Sequence, residues 1–177
     1  MDTELRYKQH IAKAATKGLR AAMALKRLRL ASPSTARQLF VATVAPVVDY
    51  ASSVWMHSCN GASIASVYRV QKIGAQAIIG TFRTVATIIS EAEASIRTVH
   101  ERHVEKATKL WVSLRTLPKT NPLARLGNRI FQGFTSPLQK TSQMLLHVPT
   151  DRMEIILPYT IPPVSYTHLT LPTKRIV

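Results

Sequence analysis

Residues 37–55 read RQLFVATVAPVVDYASSVW, and the architecture depends on how this stretch folds. Apolar side chains recur at Ala36, Leu39, Phe40, Val44, Val47, Val48, Ala51, Val54 and Trp55, with Thr43 in phase. Steps of three and four with doubled positions describe a helix whose apolar face is wide enough to be buried on more than one side. Pro46 sits in its middle. It has no N–H for the carbonyl of Ala42, and its ring crowds that carbonyl, at a cost of about 3 kcal/mol in a regular helix. A kink or break is therefore expected near residues 43–46. Upstream, Ser32-Pro33 supplies a serine N-cap and a proline at the first helical position.

The same periodicity continues on both sides. Residues 5–28 predict a helix with Ile11, Ala15, Leu19, Ala22 and Leu25 inward. Residues 62–79 predict another, capped by Ser63, ended by Gly80, and lined inside by Ile64, Val67, Tyr68, Gln71, Gly74, Ala75 and Ile78. Small residues at Gly74, Ala75 and Ala77 would let a neighbouring helix come close. Residues 87–94 are ambiguous. Residues 96–117 predict a strong helix stopped by Pro118, and Asn121-Pro122 starts one more short helix to Ile130. From Gln132 the prolines at 137, 149, 158, 162 and 163 predict a linker, with at most a short strand at 153–157. The expected fold is all-α: a helical bundle over 1–131, a linker over 132–163, and an extended, Pro-rich C-terminal tail.

Composition narrows the function. The net charge is +15 and the pI about 10.7. An excess of this size points to a polyanion, either nucleic acid or anionic lipid. No run approaches the roughly 20 apolar residues of a membrane span, and MDTELRYK lacks the apolar core of a signal peptide. Cys59 is the single cysteine, so no disulfide framework exists, which fits an intracellular, reducing setting in nucleus or cytoplasm.

The cations are patterned. Arg6, Lys13, Lys17, Arg20 and Arg27 fall on the polar side of the first helix, and no acidic residue stands between Glu4 and Asp49. Arg69, Lys72, Gln76 and Arg83 are expected to project together on the outer side of the helix over 62–79. The eight cations are the candidate nucleic-acid-binding residues, with a merely solvated face as the bland alternative. His57 with Cys59 is a weak metal pair, having no second pair beside it. His100 and His103 lie one turn apart without an evident carboxylate or thiol partner, so a partly buried His103 and an exposed His100 are expected. No metal, cofactor or catalytic residue is assigned.

The stretch 39–55, followed by VYRVQKIGAQAIIGTFRT at 67–84, resembles the region just after the polymerase palm in non-LTR (LINE-like) retrotransposon reverse transcriptases, especially fungal ones. The resemblance covers residues 1–163. It implies a thumb-like bundle that grips the RNA/DNA template–primer, with 158–163 as the approach to a ribonuclease H domain. It also implies missing parts. Polymerase chemistry in that family uses paired aspartates with two divalent metals, whereas Asp2, Asp49 and Asp151 are scattered here. No catalytic residue transfers. The expectation is a non-enzymatic fragment whose Met1 is internal to a longer protein and whose partners are template–primer and the absent palm and ribonuclease H domains. The alternative is an inert helical remnant that packed on that palm; a third reading is a basic helix on anionic membrane, against which the first helix's lack of a bulky aromatic apolar face argues. Residues 164–177, VSYTHLTLPTKRIV, resemble a translated sequencing-library adapter and are expected to be a non-native tail.

Overall fold

In a computed structural model, residues 7–28, 32–59, 61–124 and 135–157 are described. Arg6, most of the helix expected after Asn121, and the 164–177 tail lie outside them. The fold is all-α, with no strand among the described residues.

Helix α1 (Lys8–Arg27) buries Ile11, Ala14, Ala15, Gly18, Ala22 and Leu25. Helix α2 (Pro33–Leu39) starts as expected: the Ser32 hydroxyl accepts the Thr35 N–H at 3.2 Å, and Pro33 occupies the first turn. The outcome at Pro46 differs from a simple kink. Residues Phe40–Val44 form a π-turn, in which the Ala45 N–H donates to Phe40 O, and the helix then runs on as α3 (Ala45–Val48). An extra residue in the turn spares the proline ring its clash with the preceding carbonyl. The Thr43 hydroxyl donates to Leu39 O at 2.6 Å and ties the widened turn. The sharp bend comes later, at 49–51, where Ala51 has φ 53°. Beyond it α4 (Ser52–Trp55) sets off, and Pro33–Val48 is inclined at 49° to Ser52–Ser58. The single helix expected through Trp55 is thus two, because the free carbonyls of Asp49 and Tyr50 find other donors at the bend.

Helix α5 (Gly61–Ile79) begins two residues before Ser63, which sits inside its first turn rather than capping it. Gly80 ends it at φ 69°, with its N–H on Gln76 O. The α5 core face is Val67, Val70, Gln71, Gly74, Ala75 and Ile78; Tyr68, expected inside, is instead exposed. Gly74 is where the Phe40 ring lies on α5, in space a β-carbon would occupy, and Gly18 gives α1 the same closeness to Val48. Helix α6 (Thr87–Glu93) leads to α7 (Val99–Arg115), shorter than expected because Thr98 and Glu101 form a capping box at its start.

After Gln132 the structure departs from a bare linker. Helix α8 (Pro137–Met144) is capped by Ser136 and packs on α7 and α4. No strand forms at 153–157, although the Ile156 N–H reaches Thr116 O at 2.8 Å. The core joins α1, the α2–α3 helix, α4, α5 and the start of α7 through Ile11, Phe40, Val44, Trp55, Val67, Val70 and Val99. No single described helix is long and apolar enough to cross a membrane.

Candidate nucleic-acid interface

Helix α1 has no acidic residue, and its core face is narrow because alanine and glycine fill much of it. Lys13, Lys17, Arg20 and Arg27 are all exposed on the far side from Ile11, Gly18 and Leu25. At 3.6 residues per turn these four fall within a sector of about 80°. The expected stripe is therefore one surface, with Arg6 outside the described residues.

Along the α1–α5 seam a groove of about 400 Å³ collects Lys26, Arg69, Lys72 and Arg83 around Met23, Ile73 and Gln76. Arg69, Lys72, Gln76 and Arg83 were expected to project together; the structure brings the three cations together but buries Gln76, and Lys26 is the addition. It sits on the flank of α1 rather than on the stripe, so only the crossing of α1 over α5 reveals it. The buried Gln76 amide donates to Phe82 O at 3.5 Å and fixes the loop that carries Arg83. Along the other seam, between α1 and α3, a second groove places Lys13 and Lys17 beside His10, Pro46 and Tyr50.

Residues 5–90 contain one carboxylate, Asp49, and it is committed elsewhere. Arg102 holds it with two hydrogen bonds, Nε at 2.8 Å and Nη2 at 3.1 Å, and His103 Nε2 donates to it at 3.1 Å. Lys106 Nζ stands 3.6 Å away. The Arg102 guanidinium also donates to Gln71 Oε1 and to Arg97 O, each at 2.9 Å. Burial pushes the Asp49 carboxyl up, but hydrogen bonds from His103 and Arg102, and their charges, outweigh it and hold the pKa at about 2. Glu105 is similarly taken by Lys109 and Arg97, whose hydrogen bonds lower its pKa. By contrast none of Lys13, Lys17, Arg20, Lys26, Arg27, Arg69, Lys72 and Arg83 makes an ion pair with a described residue. Eight cations on α1, α5 and the following loop thus have no carboxylate partner among the described residues, an arrangement suited to phosphate oxygens and not to neutral or cationic ligands.

The histidines and the cysteine take ordinary partners. His103 is fully buried, where partial burial was expected, and lies edge-on to Trp55 with ring centroids 4.9 Å apart, while His100 is exposed as expected. The carboxylate that sequence spacing left out is Asp49, 54 residues away. His57 Nε2 lies 3.0 Å from the Thr141 hydroxyl, whose own proton goes to Pro137 O, so the imidazole donates. Burial, then the nearby Lys140 charge, lowers the His57 pKa. Cys59 Sγ points at Trp55 O at 3.3 Å, and burial raises its pKa. No three His, Cys, Asp or Glu side chains converge among the described residues. Comparison with protein-family models, with curated proteins and with solved structures finds no match for the chain.

Proposed function

We propose that the chain binds nucleic-acid duplex through its backbone phosphates, as the thumb region of a non-LTR retrotransposon reverse transcriptase, and carries out no catalysis itself. The observation that carries the proposal is the surface of cations on α1 and α5 that make no ion pair with a described residue, with Asp49 withdrawn into the core. A thumb holds template–primer in register by sequence-independent contacts, and exposed Lys and Arg along a rigid helix suit that task. The motif stretches at 39–55 and 67–84 support the family assignment.

The second reading is an inert helical remnant. Exposed Val41, Phe82, Ile88 and Ile89 favour it, being apolar surface that a missing neighbour would cover. One experiment separates the two. Replacing Lys13, Lys17, Arg20 and Arg27 together with glutamine should flatten the dependence of log affinity on log salt for an RNA–DNA duplex by roughly 3 to 4 units. The loss should be alike for every duplex sequence, with helix content unchanged. An unchanged slope hands the case to the remnant.

A further inference from the structure

Tyr50 follows the buried Asp49 at the bend between α3 and α4, and it is 70% exposed. Its backbone is nonetheless fixed. The Trp55 indole donates to Tyr50 O at 2.8 Å, and His10 Nε2 lies 3.4 Å from the same oxygen. The His10 and Tyr50 rings are 6.1 Å apart and tilted by 43°, forming a wedge at the mouth of a groove of about 440 Å³. Its floor is Ala14, Pro46 and Val47; Lys13 and Lys17 stand along its α1 side. The volume falls in the range of small-ligand sites.

An exposed tyrosine alone means little. Here it is held on a turn that Asp49 anchors to α7, over an apolar floor and next to two lysines that make no ion pair with a described residue. Those are the parts of a single-strand subsite: an aromatic face for a base and cations for the adjoining phosphates. We propose that this groove takes an unstacked nucleotide, with its base on Tyr50 and its flanking phosphates on Lys13 and Lys17. Bases inside a duplex have both faces covered by their neighbours, so the ligand is a single-stranded overhang next to the duplex on the α1 stripe. The inference rests on the duplex-binding reading and adds an asymmetry to it: a blunt duplex runs over the whole stripe, whereas with an overhang present Lys13 and Lys17 hold the phosphates beside the open base and Arg20 and Arg27 hold paired ones.

The test uses three RNA–DNA probes: a blunt duplex, the same duplex with a four-nucleotide overhang, and one with four abasic residues in that overhang. The last two carry equal numbers of phosphates, so their ratio reports the base alone. Wild-type chain should favour the base-bearing overhang over the abasic one by roughly 5- to 150-fold, as one stacked base predicts. Tyr50→Leu should lose that preference and keep its affinity for the blunt duplex; Tyr50→Phe should retain both. In the wild-type chain, photocrosslinking of a bromouridine-substituted overhang should map to Tyr50. Equal binding of the two overhangs by wild type, or a preference surviving in Tyr50→Leu, overturns the subsite and leaves the stripe standing. Failure to bind even the blunt duplex overturns both.

Discussion

Arg102 on α7 and Arg69 on α5 are the same residue type on helices that touch, yet they meet opposite surroundings. Arg102 is nearly buried and donates to Asp49, Gln71 and Arg97 O. Arg69 is exposed, lines a groove with three other cations, and pairs with no described carboxylate. The difference is where the acids went. Helices α1, α2 and α5 carry none, and the acid at the α3–α4 bend faces α7. Positive charge on α7 therefore locks the bundle, whereas the cations of the α1 stripe and of the α5 groove make no ion pair with a described residue.

The largest effect should come from breaking the buried side. Asp49→Asn leaves Arg102 and His103 without a carboxylate and should destabilise by about 3–5 kcal/mol, read by urea unfolding. Adding Arg102→Met should restore part of this, since no buried charge is then orphaned. A loss under 1 kcal/mol would mean the network is ornamental. Acid should act through the same group at somewhat smaller scale. Asp49 has its folded pKa lowered from 3.8 to about 2, so its contribution is fully present above the unfolded pKa. It is lost as pH falls through the folded one. Roughly 2–3 kcal/mol should disappear between about pH 5 and 1, and Asp49→Asn should remove that part of the pH dependence. The smallest effect belongs to the exposed side. Lys26→Gln, Lys72→Gln and Arg83→Gln combined should leave stability within about 0.5 kcal/mol of wild type while weakening duplex binding. A loss above 1.5 kcal/mol would make these cations structural and erase the contrast.

The helical parts that were legible depend on short-range chemistry. Ser32-Pro33 caps α2, Gly80 ends α5, and the steps of three and four on α7 bury His103 and expose His100. The stripe on α1 was legible because one helix's period suffices to place it. Whatever depends on two elements was not. Asp49 meets Arg102 and His103 across 53 and 54 residues, and no spacing rule links them. Lys26 joins Arg69 only through the α1–α5 crossing, and Tyr50 gains meaning only from His10. Helix α8 is a different omission. Ser136-Pro137 repeats the Ser32-Pro33 signal, but the surrounding prolines suggested extended chain, while packing on α4 and α7 supplies what eight residues cannot supply alone.

The π-turn at Phe40–Val44 also changes how the chain counts. Ala36, Phe40, Val44 and Val48 are all buried, each four residues after the last. In an unbroken α-helix a step of four overshoots a turn by about 40°, so three steps would carry Val48 about 120° away from Ala36. One additional residue in a turn absorbs about 100° of that. The widened turn works as a vernier: it resets the phase of the helix so that a four-residue ruler stays aligned with a straight seam. Every position after Val44 consequently runs one residue late against the helix before it. By the same count, loss of a single residue within 41–43 would return the segment to a regular α-helix with Val48 and Asp49 at nearly the same azimuth, and the Pro46 ring would then meet the carbonyl that the wide turn spares it.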